Sequence, residues 1–366
     1  MPLLHLALLA VAVAAPPAEP KLSWSVPGES CWQPAWSPDG TRVACRGTRY
    51  RYRIYQRGRL TQELDDGHEA AWSPAGSRLF TLHEGEFGIA LWDSTGFLGW
   101  AYAPGLDHAA WNPDGKTIWY SSGSVKQATL AVADAKDLWT EERIRRLFQK
   151  CLGDPGCMQK ELQPKSPQLP GSRPAISRDG DVAFVRYAES ATSWTNQLWI
   201  LGKGAAAPAL IPSDFIDRLA WSPDGRWLAA SVSREGAPDL EVIDLRRPEA
   251  GFRRLSAMAT QFLELSLSWS PDGKSIAFLR ALPPPPRYGA LVPPGFHFPH
   301  DPPPPTAVAR VSIASGEVAD VLVPKRRDCS YTNVAWSKGG LLTELRCPAP
   351  ADQIGDPTDV FVYDVQ

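Results

Sequence analysis

The chain has 366 residues, with 38 Lys and Arg against 40 Asp and Glu and a formal charge of −2. Both signs are mixed along its length, so it carries no basic footprint for nucleic acid. The length could hold two ordinary domains, but internal repetition overrides that prior.

Leu3 to Ala15 is an apolar run of signal-peptide length, with Ala12-Val13-Ala14 as an acceptable cleavage site and Pro16-Pro17 after it. It is too short to span a membrane comfortably. Residues 1–15 are therefore read as a cleaved export signal and residues 21–366 as one domain, periplasmic or extracellular and with no membrane span after cleavage. No Cys stands at the cleavage point to carry a lipid.

From there a segment of the form small residue, Trp, Ser, Pro, Asp, Gly returns seven times, first as Ala35-Trp36-Ser37-Pro38-Asp39-Gly40. The Trp position is then held by Trp72, Trp111, Ile176, Trp221, Trp269 and Trp336, at spacings of 36, 39, 65, 45, 48 and 67 residues. Pro presets φ and Gly accepts the positive φ of a tight reversal. A strand-like run follows most copies, such as Thr117-Ile118-Trp119-Tyr120 or Ser275-Ile276-Ala277-Phe278-Leu279, so each copy predicts a hairpin. A third run usually comes next, as in Leu240-Glu241-Val242-Ile243-Asp244, then a weaker fourth. Four short antiparallel strands per repeat, at roughly 43 residues each, define a propeller blade. The fold expected is all-β, a seven-bladed propeller. Lys21 to Val26 has no motif of its own, while the last repeat runs out after its third strand. The N-terminal strand is expected to complete the last blade and close the ring.

Two repeats carry insertions, at about residues 137–165 and 282–305. In the first, Leu138, Ile144, Leu147 and Phe148 recur at near-helical spacing, with acidic residues early and basic ones late, which predicts a short helix. Its expected role is packing outside blade three or docking a partner. The second, Leu282 to Pro305, is dense in proline, which blocks sheet pairing and favours polyproline II. It should emerge beside the entry to the first strand, with Tyr288, Phe296 and Phe298 as candidate anchors for a partner, or serve as a rigid spacer.

Six cysteines allow fifteen pairings. Hairpin register narrows them: Cys31 with Cys45 and Cys329 with Cys347 are each centred two residues past a Trp, at the turn. Cys151 and Cys157 remain and would close a small loop. A zinc site at that pair lacks a second Cys or His pair nearby.

The Trp-Ser-Pro-Asp-Gly turn followed by an Ile-Ala-Phe type strand resembles the WD-like repeat of the TolB propeller, the periplasmic part of the Tol-Pal envelope system. It is similar also to the propellers of prolyl oligopeptidase-type peptidases and of oligogalacturonate lyases. The resemblance covers nearly all of residues 21–366 and speaks for fold rather than function, because the matching residues build the hairpin. TolB's extra N-terminal α/β domain and six blades are not apparent here. The Gly-x-Ser-x-Gly elbow of the peptidases does not occur.

Three residues before the Trp position the repeats carry Gln33, Glu69, His108, Arg173, Arg218, Ser266 and Asn333, all polar. On the innermost strand this position rings one mouth of the channel. With His68 it predicts a surface that recognises a partner or small ligand, set against mere solvated entrance surface. The oligogalacturonate lyases imply another use, a metal held by His and Gln on the axis. Gln33, His68, Glu69 and His108 are the residues here that such a site would use, with Arg173 and Arg218 pairing substrate carboxylates. Yet only six His occur and none recurs at this position in blades four to seven. His297 and His300 with Asp301 form a still weaker cluster. No His-Glu-x-x-His, phosphate-binding Gly loop or Ser-x-x-Lys is present. The expectation is an exported, non-enzymatic module of the cell envelope, without metal or cofactor, that binds another envelope or secreted protein or a small ligand. The alternative is a metal-dependent lyase or hydrolase acting on an anionic saccharide.

Overall fold

The computed structural model describes residues 20–27, 31–47, 51–84, 87–123, 128–152, 154–162, 169–189, 194–213, 216–232, 238–257, 267–283, 305–348 and 358–365. Their strands form seven four-stranded antiparallel sheets. Blade one holds β2 (Trp32–Trp36), β3 (Val43–Arg46), β4 (Arg51–Gln56) and β5 (Arg59–Asp66). Blade two holds β6 (Ala70–Trp72), β7 (Leu79–Leu82), β8 (Ile89–Asp93) and β9 (Gly96–Ala101). In blade three are β10 (Leu106–Trp111), β11 (Thr117–Ser122), β12 (Thr129–Asp134) and β13 (Leu169–Pro170), and in blade four β14 (Ser172–Ile176), β15 (Val182–Glu189), β16 (Trp194–Leu201) and β17 (Ala209–Ile211). Blade five comprises β18 (Ile216–Trp221), β19 (Trp227–Val232), β20 (Asp239–Asp244) and β21 (Arg253–Ala257). Blade six comprises β22 (Leu267–Trp269), β23 (Ser275–Ala281), β24 (Thr306–Ser312) and β25 (Val318–Leu322). Blade seven is β26 (Ser330–Ser337), β27 (Gly340–Arg346) and β28 (Thr358–Asp364), completed by β1 (Lys21–Pro27). β1 pairs with β28 from Lys21 opposite Asp364 to Pro27 opposite Asp359, so the N-terminal strand closes the ring as expected.

The repeat motif explains both the hairpin and the contact between blades. In the first copy the Ser37 N–H donates to Arg42 O at 2.8 Å and the Gly40 N–H to Ser37 O at 2.8 Å. The Ser37 hydroxyl donates to Asp39 Oδ1 at 2.6 Å, and that bond, with the Thr41 N–H, holds the Asp39 carboxyl down at about 2. Gly40 sits at φ 71°, and a Cβ there would lie 2.4 Å from the Gly339 nitrogen, so the turns of blades one and seven abut. The Trp then reaches sideways. Trp72 Nε1 donates to Ala35 O at 2.9 Å, and Trp36, Trp111, Trp221 and Trp269 bond in the same way to Ala335, Ala71, Ala175 and Ala220 of the preceding blade. Ile176 has no such N–H to offer.

Each interface between blades has its own apolar cluster, and the first strands touch one another in a closed ring. The cluster between blades three and four, where Ile176 stands, has only Leu130, Val182 and Phe184 as its buried members.

The three disulfides are Cys31–Cys45 and Cys329–Cys347, as hairpin register suggested, and Cys151–Cys157, the pair that remained. The first insertion forms α1 (Glu141–Cys151), capped by Thr140 Oγ1, which accepts from the Arg143 N–H at 3.3 Å. It also forms a second helix, α2 (Pro155–Leu162), where only a loop was expected. Nor does the insertion pack outside blade three. Leu147, Cys151 and Leu162 pack on Phe87 and Tyr102 of blade two and on Trp139, and Trp139 bridges Trp100 of β9 through paired backbone hydrogen bonds. The aromatic groups that blade two presents at its outer edge draw the insertion back across the interface. Of the second insertion the base is described: Leu282 N–H donates to Pro305 O at 2.7 Å between β23 and β24. Tyr288, Phe296 and Phe298, Ser266, His297, His300 and Asp301, and the signal run of residues 1–15 lie outside the described residues.

Candidate functional site

In six of the seven blades the described part of the first strand, or the residues just before it, carries an irregularity ahead of the Trp position. The ladder to the second strand slips between Trp32 and Ala35, Leu106 and His108, Ser172 and Ala175, Ile216 and Arg218, and Tyr331 and Val334. In blade two the His68 N–H donates to Leu82 O and the Leu82 N–H to Glu69 O, again two residues against one. Such bulges bend a strand and re-aim the side chain at the extra position. Gln33 and Arg173 accordingly hold positive φ, 49° and 54°, which a residue with a Cβ adopts only at a cost.

A cavity of about 230 Å³ lies on the axis, lined from five blades by residues that include Gln33, Glu69, Arg218, Ala220, Ser268 and Ala335. Gln33, Glu69 and Arg218 are thus brought together, while His108, Arg173 and Asn333 do not line this cavity. His108 stands beside the cavity, its Nδ1 3.2 Å from Glu69 Oε2 and its Nε2 3.4 Å from Asp107 Oδ2. Burial pushes the Glu69 carboxyl up, but the hydrogen bond with His108 and the charges of His108, Arg218 and His68 outweigh it, and the net shift is downward. Tyr52, which the alignment did not flag, donates its hydroxyl to Gln33 Oε1 at 3.3 Å. Ser268, missed as a binding residue because it occupies the small-residue position, accepts the Trp336 N–H at 2.9 Å through its hydroxyl oxygen. Arg173 is half-buried and does not line this cavity.

Asn333 is turned away from the mouth. It is 1% exposed, and its Nδ2 donates to Cys31 O at 2.8 Å and to Glu344 Oε2 at 2.6 Å. Glu344 faces the bulge from β27 and draws the amide into the interface of blades seven and one. The signal was a carboxylate at a second-strand position where blades one, three and five carry Arg46, Ser121 and Ser231.

His68, Glu69 and His108 do not assemble a metal set. Among the described residues no three His, Cys, Asp or Glu converge as ligands. A larger cavity, about 940 Å³, lies at the opposite face between blades five and six. Several of its charges are engaged within the protein: Arg226 by Asp244, Arg253 by Ile313 O, Lys274 by Asp272. Among the described residues no helix is long and apolar enough to cross a membrane.

The molecule is a β-propeller with a polar cavity at its axis. The sequence matches no protein-family model and no curated protein. Solved structures share the fold. The β-propeller domain of Myceliophteria thermophila Cps50 (Swd1) is 12% identical with a TM-score of 0.54, over 92% of this chain and 98% of that one. Hydrazine synthase of Kuenenia stuttgartiensis is 13% identical with a TM-score of 0.47, over 73% and 76% of the two chains. A TolB candidate from Agrobacterium tumefaciens is 15% identical with a TM-score of 0.46, over 72% and 83%. At these identities the likeness concerns the propeller fold alone.

Proposed function

We propose that this chain is an exported, non-enzymatic binding module of the cell envelope that engages its partner or ligand at the channel mouth. The observation that carries the reading is the axial cavity, where Gln33, Glu69 and Arg218 from three blades face one space. Three disulfides fit an oxidising compartment, in keeping with residues 1–15 acting as a cleaved signal and residues 21–366 as the mature domain. The Pro-rich segment, based beside the mouth, would contribute Tyr288, Phe296 and Phe298 to a protein partner. The lyase alternative gains no support, because His108 is spent on Glu69 and Asp107. The test is chemical cross-linking and affinity capture from the envelope fraction with the wild type and with a Glu69→Ala/Arg218→Ala variant. A partner captured by the first and lost from the second is the expected result. Equal capture by both would remove the mouth from the binding surface.

A further inference from the structure

Glu69 and Arg218 belong to blades two and five, three steps apart in a ring of seven, so they stand on opposing walls of one cavity. Their charges are felt across it, yet no ion pair closes between them. Arg218 lines the cavity, and among the described residues its side chain makes no hydrogen bond or ion pair. Glu69 uses Oε2 for His108 and keeps Oε1.

Each wall is reinforced by the next blade. Beside Arg218, the Ser268 oxygen accepts the Trp336 N–H, so its own hydroxyl hydrogen is left to donate. Beside Glu69, Gln33 Oε1 takes the Tyr52 hydroxyl with one lone pair and has a second. Donors therefore face inward from blades five and six and a carboxylate from blade two, while the Gln33 amide of blade one offers an acceptor and a donor. A ligand with a single charge would satisfy one wall and leave the other desolvated and unpaired.

At about 30 Å³ per water molecule, the volume of about 230 Å³ holds about eight waters, or a ligand with a similar number of non-hydrogen atoms. That is the size of a small amino acid, and a longer ligand would extend out of the open mouth. We propose that the axial cavity binds a small zwitterion carrying both a carboxylate and an ammonium group. The carboxylate sits on Arg218 and Ser268, and the ammonium group on Glu69 Oε1 and Gln33 Oε1. The assignment rests on the channel mouth being the binding site and adds the chemistry of its ligand.

Titration calorimetry on the disulfide-intact protein tests it, with glycine, L-alanine, β-alanine and γ-aminobutyrate as probes and acetate and methylammonium as single-charge controls. At least one zwitterion should saturate the protein and bind about tenfold or more tightly than either control. Glu69→Gln and Arg218→Gln should each weaken that binding by about tenfold or more, while Arg226→Gln at the opposite face leaves it unchanged. Thermal unfolding confirms that the variants fold, and the wild-type ligand series stands without them. No saturable binding of any zwitterion up to about 10 mM, or acetate binding as well as the best of them, would overturn the proposal. Should the zwitterions fail while the Glu69→Ala/Arg218→Ala variant still loses its captured partner, the mouth remains a protein-binding surface and only the ligand class falls.

Discussion

The indole hydrogen bonds between blades lend themselves to a test that separates shape from polarity. Trp72 is nearly buried, donates to Ala35 O at 2.9 Å and lies under the Arg42 guanidinium, whose carbon is 4.3 Å from the ring centroid. Replacing Trp72 by the isostere β-(3-benzothienyl)alanine keeps the bicyclic shape and removes only the N–H. The expected loss is about 1 kcal/mol, the usual net value of an intramolecular hydrogen bond. Trp72→Phe removes the bond and also part of the ring. At about 25 cal/mol per Å², roughly 40 Å² of lost apolar contact adds about 1 kcal/mol, and the cavity left behind adds more, for a total of about 2–3 kcal/mol. Equilibrium urea unfolding with intact disulfides, fitted with a common m-value, reads both losses. An isostere as stable as the wild type to within about 0.3 kcal/mol would refute the inference that the indole N–H ties one blade to the next, leaving Trp72 as filler alone.

Three further outcomes follow from other parts of the ring. Replacing Cys329 and Cys347 together by Ser opens a loop with a sequence separation of 18, and loop-closure entropy sets the expected destabilisation at about 3 kcal/mol; an unchanged urea midpoint would show that the closing blade needs no covalent support. Burial pushes the Glu344 carboxyl up, against Arg346, Thr332, the Cys31 backbone and Asn333, so its contribution to stability is full below the unfolded carboxylate range and is lost as pH rises through its folded-state value. Glu344→Gln should therefore flatten the decline in stability above about pH 4.3, and identical pH slopes for variant and wild type would count against the buried charge. Glu69 has the opposite sign: its lowered carboxyl stabilises above the unfolded range and the benefit fades as pH falls, so His108→Ala should raise its titration midpoint in carboxyl-resolved NMR, whereas an unmoved midpoint would contradict the contact.

The blades were legible because each hairpin is specified locally. Ser37, Asp39 and Gly40 make the turn among themselves, and the same residue types recur at fixed offsets, so the count of seven and the short strands came from pattern alone. The two hairpin disulfides were legible for the same reason, since register about a known turn decides which positions face each other. What the pattern could not show is pairing that depends on two strands at once. A bulge at Gln33 or Arg173 is a property of the ladder, and neither residue type announces a positive φ. The return of α1 and α2 to blade two was hidden for a related reason. It depends on Phe87, Tyr102 and Trp139 meeting in space, and helical spacing reports only which face is apolar.

The same contrast decides where function can reside in such a molecule. Positions that repeat, the Trp, the preceding Ala and the turn, are committed to joining blades, and a ligand that read them would find seven similar surfaces. Discrimination has to come from positions that share a place but not a chemistry. Where the ladder slips, the bulge supplies that place, because it frees side chains from the regular alternation of the strand without disturbing the Trp position two or three residues later. At that place blade two carries a carboxylate, blade five a guanidinium and blade one an amide, while blade seven has withdrawn its Asn333 to hold Glu344 at the closure. Near-symmetric backbone and unlike side chains together give the axial cavity a direction, a carboxylate on one wall and a guanidinium on the other. That polarity is the property by which it would select a ligand with two unlike ends.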